Sequence, residues 1–326
     1  RILRGIKMNK IDEKSAARLL RENDNILILT HRNPDGDTIG SGFALLHALK
    51  KLGKKVMVVC TDPFPEKYGY IAHSNNDDVG ENPYVVAVDV ADMELIGAQY
   101  RAKYEHGVNL CIDHHISNKE FAENLCLRSC SATCEIIYDV IKAMDVEIDK
   151  SVADSLYTGI ATDTGCFLFS SVTARTHIIA ADLIEHGADF FEINRIMFET
   201  KSLGYFKLEA AALNTVEMHC GGKCAFMTVT MDMQKQAGTK DGDFDGIAGL
   251  PRKIEGVLVA ATFRETKDGN FKVSMRSHEP VDSSKICMNF GGGGHSRAAG
   301  CTFEKKALEE NKKKLLSIIE TELKGI

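Results

Sequence analysis

The chain has 326 residues and a mass of 35.9 kDa, which is enough for two domains of roughly 100–200 residues each. Its 40 Lys and Arg residues against 46 Asp and Glu residues give a formal net charge of −6. This acidic balance argues against a protein that holds long duplex nucleic acid on a basic face. A composition with 44% hydrophobic and 26% charged residues also excludes a largely disordered chain.

No apolar run in the sequence reaches the ~18 residues that are needed to cross a bilayer. We recognise no signal peptide, and Met8 is a candidate natural start that other residues precede. We therefore expect a cytoplasmic protein with no membrane partner.

The first half of the chain alternates short apolar runs with helical patterns, which predicts an α/β domain built on a parallel sheet. Strands are predicted at 25–30, 55–60, 84–88 and 108–112. Helices are predicted at 11–21, 39–52, 132–144, 151–160 and 174–186.

The pattern changes in the second half. Residues 189–218 show a long helical pattern, broken or bent near Gly204, which we expect to connect two domains. Further strands are predicted at 224–230, 256–265 and 271–276, and a helix at 305–324. The predicted organisation is a large α/β domain over 1–188, a helical linker over 189–218 and a smaller mixed α+β domain over 219–326.

Ten cysteines are present, and their spacing raises the question of a metal or disulfide role. Cys126, Cys130 and Cys134 stand at intervals of four, as on one face of a helix, where small apolar filling is the simpler interpretation. Cys220 and Cys224 flank a Gly-Gly-Lys segment that predicts a hairpin turn. No second Cys or His pair stands at the spacing of a zinc finger, so we expect reduced, buried thiols.

Acidic and imidazole residues follow the predicted strands of the first half. Those that follow a strand directly are His31, Asp35, Asp37, Asp89, Asp113, His114 and His115, and Asp163 follows the predicted helix 151–160. In an open parallel sheet, ligands bind outside the carboxyl ends of the strands. A single Asp at such a place is commonly a turn or helix cap, but so many at one edge favour a shared site.

The chemistry of this set points to metal ions. Five carboxylates brought together with imidazoles would repel one another unless cations lay among them. Oxygen ligands with a minority of nitrogen, and no cysteine, favour Mn²⁺ or Mg²⁺ over a structural zinc ion. More than four ligands indicates two ions, which at about 3.5–4 Å apart catalyse displacement at phosphorus. The residues therefore predict a two-metal hydrolase of phosphoesters or phosphoanhydrides.

Two features of the second half are candidates for binding an anion. Four consecutive glycines over 291–294 precede an Ala-rich stretch that could begin a helix, an arrangement that suits an anion at a helix N-terminus. A flexible hinge or tight turn is the alternative. Arg276 ends the predicted strand 271–276 and offers a planar fork for a phosphate or carboxylate, or is simply an exposed charge.

Together these segments resemble a known family. In chain order, His31-x-x-x-Asp35-x-Asp37, then Asp89, then the Asp-His-His triplet 113–115, then Asp163 are similar to the four motifs of the DHH phosphoesterase superfamily. The segment Gly291–Gly294 with His295 looks like the signature of the type 1 DHH-associated domain. The resemblance is greatest to the nano-RNase and pAp-phosphatase branch.

This resemblance implies a role for each residue. One ion would be held by positions matching His31, Asp35 and Asp89, and the second by positions matching Asp37, Asp89, His114 and Asp163, so that Asp89 bridges the ions. His115 and Asp113 would be catalytic, with His115 close to the substrate phosphate and Asp113 supporting the motif. Across a cleft between the domains, the nucleotide end would be bound by Arg276, Gly292, Gly293, Gly294 and His295.

The implied function is hydrolysis of short oligoribonucleotides of about two to five nucleotides, linear dinucleotides such as pApA or pGpG, or pAp, to mononucleotides. Two Mn²⁺ ions are the expected cofactors, with Mg²⁺ or Co²⁺ as substitutes, and a homodimer is left open. One alternative is an inorganic pyrophosphatase or polyphosphatase, which shares the first-half motifs but not the glycine-rich segment. A non-catalytic nucleotide-binding regulator is the other, although all six ligand positions are intact.

Overall fold

The computed structural model describes residues 8–73, 77–104, 107–239, 244 and 246–325. The chain forms two units, Arg1–Thr200 and Lys201–Ile326. The division lies inside the segment 189–218 that the sequence marks as a connection. The predicted fold class, a parallel-sheet α/β domain followed by a smaller mixed α+β domain, is confirmed.

The described residues of the first unit form six short strands and seven α-helices. The strands are β1 (Asn9–Lys10), β2 (Ile26–Leu29), β3 (Val56–Val59), β4 (Tyr84–Val88), β5 (Leu110–Asp113) and β6 (Asn124–Leu127). The helices are α1 (Glu13–Glu22), α2 (Gly36–Lys51), α3 (Ala98–Tyr104), α4 (Thr133–Ala143), α5 (Lys150–Asp163), α6 (Ala174–Glu185) and α7 (Phe190–Asn194), followed by a π-helical turn at Arg195–Glu199.

The six strands form one parallel sheet in the order β1-β6-β5-β4-β2-β3. Strands β2, β4 and β5 are nearly fully buried because apolar clusters cover both faces of the sheet. This explains their continuous apolar runs. Since β4 lies between β2 and β5, the carboxyl ends of these three strands meet at one edge.

Helices α2, α4 and α5 pack at unusually short distances, and glycines make this possible. A Cβ atom on Gly40 of α2 would lie 2.4 Å from the carbonyl oxygen of Ser155 in α5. A Cβ atom on Gly159 of α5 would lie 2.2 Å from Cys134 Sγ in α4 and 2.9 Å from Asp37 Oδ1 in α2. The close packing therefore brings the start of α2, the start of α4 and the end of α5 together.

Gly40→Ala is expected to destabilise the protein by about 1–3 kcal/mol, the usual effect of forcing extra volume into a packed interior. The group that the new methyl meets is a backbone carbonyl, which moves only if α5 moves. Urea unfolding measures this change as a lower midpoint. Gly107→Ala is the control, because, among the described residues, nothing other than its chain neighbours lies within 4 Å of the Cβ position there. Equal stability of the two variants would contradict the tight helix contact.

The second unit contains a mixed sheet with helices around it. Its elements are α8 (Leu203–Leu213), β7 (Glu217–His219), β8 (Cys224–Val229), α9 (Met231–Ala237), β9 (Val259–Glu265), β10 (Phe271–Ser277), α10 (Ser283–Met288), β11 (Gly293–His295), β12 (Ala298–Phe303) and α11 (Leu308–Lys324). The strand order is β11-β12-β10-β9-β8-β7, with β8 and β9 parallel and the other neighbours antiparallel. A 3₁₀ segment, Ile247–Lys253, precedes β9.

Two expectations for this region were wrong in detail. The Ala-rich stretch after the glycines is strand β12 rather than the start of a helix, because Ala299, Cys301 and Phe303 alternate into the core while the strand pairs with β10. In the connecting segment, the expected break near Gly204 is confirmed at 200–202, but the helical pattern does not continue to 218, because α8 ends at Leu213 and β7 begins at Glu217.

The three cysteines at intervals of four do not lie on one helix. Cys126 lies in β6, Cys130 in the following loop and Cys134 in α4, so the three do not share one helix face. All ten cysteines are free, and six of them are buried. Burial raises the pKa of Cys126 and of Cys130 to about 12. The predicted hairpin between Cys220 and Cys224 is confirmed by the antiparallel pairing of β7 with β8.

Among the described residues, no helix is both long enough and apolar enough to traverse a lipid bilayer.

Candidate active site

The predicted acidic and imidazole residues lie together at the carboxyl edge of the first unit's sheet. His31 comes two residues after β2, Asp89 directly after β4, and Asp113 is the last residue of β5. Asp89 has a φ of +57°, a left-handed conformation that non-glycine residues adopt rarely and often at functional sites. Its backbone N–H donates to the carbonyl oxygen of Ile112 at 3.0 Å, which joins the ends of β4 and β5.

The start of α2 supplies two more carboxylates. Asp35 is the N-cap of α2, and its Oδ1 accepts hydrogen bonds from the backbone N–H groups of Asp37 and Thr38, both at 3.1 Å. Asp35 is therefore a helix cap, as an Asp after a strand commonly is. Because the same oxygen also lies 3.5 Å from His31 Nε2, capping does not remove Asp35 from the site.

Asp37 is buried and sits on the N-terminus of a different helix. Its Oδ2 accepts from the backbone N–H of Thr133 at 2.6 Å, and its Oδ1 accepts from that of Cys134 at 3.0 Å. Helix α4 has no side-chain cap of its own at Ala132. Asp37 thus caps α4 from outside, using N–H groups that have no partner within the helix.

The two oxygens of the buried Asp89 carboxylate face opposite sides of the cluster. Asp89 Oδ2 lies 3.5 Å from His31 Nε2, whereas Oδ1 lies 3.7 Å from His114 Nε2. The hydroxyl of Thr133 donates to Oδ1 at 2.9 Å. The carboxylate is therefore held in one orientation, with Oδ2 toward His31 and Oδ1 toward His114.

His114 and Asp163 form the far side of the cluster. His114 Nδ1 bonds to the carbonyl oxygen of Cys130 at 3.1 Å, which directs Nε2 toward Asp163 Oδ2 at 3.5 Å. Asp163 ends α5. Since Nδ1 acts as the donor to a carbonyl, Nε2 carries the free lone pair that a metal requires.

His115 has different surroundings from His114. Its Nδ1 lies 2.8 Å from Asp113 Oδ1, and the other oxygen of the fully buried Asp113 accepts from Asn118 Nδ2 at 2.6 Å. The hydrogen bond to Asp113 raises the pKa of His115 to about 9, against the opposing effect of burial. The His115 side chain is 34% exposed, so the ring lies at the open side of the cluster.

The electrostatics of the cluster favour cations. Burial raises the pKa of Asp37 well above its ordinary value, and the charges of Asp89, Asp163 and Asp35 act in the same direction. Burial likewise raises the pKa of Asp163 to about 6. For His31, burial lowers the pKa, but hydrogen bonds to Asp35 and Asp89 outweigh it and raise the pKa to about 11. Carboxylates and imidazoles pressed together in this way share protons unless metal ions replace them.

The donor atoms also meet the geometric requirement for metal binding. In each of three sets of described residues, every residue offers one ligand atom, and these atoms all lie within 4.8 Å of one another. The sets are His31 with Asp35 and Asp89, Asp37 with His114 and Asp163, and Asp89 with His114 and His115. The oxygen-rich donor sets, with imidazole nitrogen and no thiolate, suit divalent cations such as Mn²⁺. In the third set, the His115 nitrogen that lies near Asp89 Oδ1, at 3.6 Å, is Nδ1, which is already bonded to Asp113. In His114, by contrast, the nitrogen that faces the carboxylates is the free Nε2, so His115 is the weakest candidate ligand.

Sequence reasoning missed two residues of this site. Thr133 contacts both Asp37 and Asp89, and Asn118 holds Asp113. Thr133 precedes an apolar helical run, so the sequence indicates only the start of a helix at this position. Asn118 lies in a loop with no pattern, and only the neighbouring Asp-His-His triplet draws attention to it.

The candidate anion-binding residues lie in the second unit. Arg276 belongs to β10, Gly293, Gly294 and His295 form β11, and Gly292 directly precedes them. A Cβ atom on Gly292 would lie 2.2 Å from the carbonyl oxygen of Gly300, so this glycine is needed for close strand contact. The glycines therefore form a β-hairpin with β12, not a helix N-terminus.

Comparisons to known proteins agree with the fold. The DHH family N-terminal domain matches residues 25–160, and the DHHA1 domain matches residues 221–325. A protein of Thermus thermophilus named bifunctional oligoribonuclease and PAP phosphatase NrnA is 34% identical over 304 residues, which cover 91% of this chain and 90% of that protein. The chain belongs to the DHH family, and the resemblance inferred from the motifs is confirmed.

Two solved structures extend the comparison. An exopolyphosphatase-related protein from Bacteroides fragilis has a TM-score of 0.87 and 25% identity, covering 96% of this chain and 97% of that one. RecJ from Thermus thermophilus, solved in complex with Mn²⁺, has a TM-score of 0.53 and 15% identity, covering 94% of this chain and 54% of that one. The RecJ likeness concerns the fold alone.

Proposed function

We propose that the protein is a two-metal phosphodiesterase and phosphatase that hydrolyses short oligoribonucleotides, linear dinucleotides and pAp to mononucleotides. The observation that carries this proposal is the Asp89 carboxylate, which turns one oxygen toward His31 and the other toward His114 within a cluster of carboxylates. The similarity to the protein named oligoribonuclease and PAP phosphatase supports the substrate class.

Two divalent cations fit the cluster, with Mn²⁺ first and Mg²⁺ or Co²⁺ as substitutes. One would be held by His31, Asp35 and Asp89, and the other by Asp37, Asp89, His114 and Asp163. The three-residue groupings of the donor atoms support this division. When bound, such ions supply Lewis-acid chemistry at phosphorus and make a water molecule more acidic.

The chain's own side chains would do the rest. Asp113 orients His115 through the 2.8 Å hydrogen bond at Nδ1, which leaves Nε2 to donate a proton. A positively charged imidazole at the open side of the cluster suits a phosphate oxygen or the leaving oxygen of the ester. Asp113 is thus a positioning residue, and His115 is the proposed catalytic acid.

The second unit would bind the nucleotide end. Arg276, Gly292, Gly293, Gly294 and His295 are the residues proposed for this role. Unshielded backbone N–H groups of glycines and a guanidinium suit phosphate oxygens. A separate nucleotide-binding unit favours short substrates over long ones, in agreement with the acidic net charge.

The substrate class is tested by incubating the protein with Mn²⁺ and, separately, pApA, a five-nucleotide RNA, a 24-nucleotide RNA, pAp and pyrophosphate. Chromatography of the products is expected to show mononucleotides from the short RNAs and AMP from pAp, with the 24-nucleotide RNA and pyrophosphate largely intact. Fast pyrophosphate cleavage with inert nucleotides would instead assign a pyrophosphatase. Binding without any turnover would assign a regulator.

Thr133→Val is expected to weaken Mn²⁺ binding by about 10–100-fold, the usual effect of losing a residue that orients a metal ligand. The substitution removes the hydroxyl that fixes Asp89 Oδ1 but keeps the backbone N–H that Asp37 accepts. Equilibrium dialysis with detection of free Mn²⁺ by electron paramagnetic resonance measures the affinity. Thr133→Ser retains the hydroxyl and should restore binding.

Thr158→Val is the matched control for Thr133. It also removes a buried hydroxyl from a helix of the first unit, but that hydroxyl donates to the carbonyl oxygen of Asp154 rather than to the cluster. Equal Mn²⁺ affinity in the two valine variants would show that Thr133 has no special role.

A further inference from the structure

The face of the second unit's sheet that carries Arg276 also carries His295. Residues directly opposed in neighbouring strands point to the same side of a sheet. The register aligns Arg276 with Ala260 on one side and Ala298 on the other, and Ala298 with His295. Arg276 and His295 therefore share a face about 10 Å apart, with only small alanine side chains beside Arg276.

The 3₁₀ segment Ile247–Lys253 covers the next part of this face. Thr262 of β9 lies two residues from Ala260 and so points to the same side. Its hydroxyl donates to the carbonyl oxygen of Ala248 at 3.1 Å, which fixes the segment over the sheet. At the end of the segment, the carbonyl oxygen of Arg252 lies 3.3 Å from His278 Nε2, and His278 follows Arg276 by two residues.

Arg252 and Arg276 are close enough to affect each other. Burial and the positive charge of Arg252 lower the pKa of Arg276. Within the part of the chain that the structure describes, neither guanidinium has a carboxylate partner. Arg276 donates only to the carbonyl oxygen of Met275, and the buried Nε of Arg252 has no hydrogen-bond partner. Two half-buried like charges with unused donors are unfavourable unless an anion joins them.

We propose that Arg252 and Arg276 together bind a terminal phosphate monoester of the nucleotide substrate. A monoester carries about 1.5–2 negative charges at neutral pH and three terminal oxygens, which matches two guanidinium forks. An internal phosphodiester carries a single charge and has less need of a second arginine. This inference rests on the proposed function and adds that Arg252 makes the enzyme prefer substrates with a terminal phosphate.

The test compares two dinucleotides, pApA and ApA, which differ only in the terminal phosphate. The measured quantity is the ratio of kcat/KM for pApA to that for ApA, with Mn²⁺ present. Arg252→Gln is expected to lower this ratio at least tenfold, and Arg252→Lys, which keeps the charge but loses the planar fork, to lower it less. Lys253→Gln removes one positive charge from the exposed neighbouring residue and should leave the ratio within twofold.

A binding measurement separates this inference from the proposed function. With EDTA present, calorimetric titration of pAp is expected to give a Kd at least tenfold higher for Arg252→Gln than for Lys253→Gln. If the wild-type protein turns over no nucleotide but the two variants differ in Kd in this way, the proposed function fails and the arginine site stands. If turnover occurs while both Arg252 variants keep the wild-type ratio and Kd, the inference is overturned.

Discussion

Asp89→Asn is expected to reduce nucleotide hydrolysis severely and to reduce Mn²⁺ binding at both proposed metal positions. The carboxylate is the one group whose oxygens face both His31 and His114, at 3.5 and 3.7 Å. Neutralising it removes a ligand charge from each position at once. Losing several kcal/mol of Lewis-acid stabilisation corresponds to a decrease of roughly a thousandfold or more in kcat/KM.

Asparagine is the appropriate replacement because Asp89 has a positive φ, which asparagine tolerates better than most residues do. Equilibrium dialysis gives the number of bound Mn²⁺ ions, and pApA hydrolysis gives kcat/KM. Asp92→Asn is the control, since Asp92 accepts a hydrogen bond from the N–H of Glu94 and does not belong to the three metal-binding sets. An Asp89→Asn protein that binds Mn²⁺ as the wild type does would disprove the bridging role.

His115→Ala is expected to lower kcat by about 10²–10⁴-fold, the range for loss of a general acid, while Mn²⁺ binding stays close to that of the wild type. The two effects separate because His115 Nδ1 is occupied by Asp113, whereas His114 directs Nε2 at Asp163. Steady-state kinetics and Mn²⁺ dialysis on the same preparation measure both quantities.

His177→Ala provides the comparison for His115, because His177 is an exposed histidine of the same unit that stacks on Phe167. Its kcat and Mn²⁺ affinity should match those of the wild type. A loss of Mn²⁺ from His115→Ala in proportion to its loss of kcat would make His115 a metal ligand, contrary to the role proposed here.

The sequence was sufficient to predict the carboxyl edge where the site lies. Strands β2, β4 and β5 have continuous apolar runs that end in His31, Asp89 and Asp113 within two residues. Parallel topology then requires these ends to meet. The position of each strand end can be predicted because it depends only on the apolar run of that strand and the polar residues that follow it.

Features that depend on long-range packing could not be predicted in the same way. Asp37 caps α4, which begins 96 residues later in the chain, and this contact exists only because glycines let α2, α4 and α5 approach closely. The strand at Ala298–Phe303 looked like a helix start because alanine favours helices. Its pairing with β10 overrides that preference.

In the second unit, the position of Arg252 relative to Arg276 could not be predicted from the sequence either. In the sequence it is one basic residue beside Lys253, and the strand that carries Arg276 begins 18 residues after Lys253. The sheet register, the position of the 3₁₀ segment and the contact of the Arg252 carbonyl oxygen with His278 bring Arg252 near the sheet face that carries Arg276. The pairing of charges is therefore a property of the fold and not of any motif.

The most direct test of the account is anomalous diffraction from crystals of the protein grown with Mn²⁺. Two Mn²⁺ peaks per chain that share Asp89 are expected, one also contacting His31 and Asp35 and the other also contacting Asp37, His114 and Asp163. A single peak, or two peaks that do not share Asp89, would contradict the two-metal site on which the proposed hydrolysis depends.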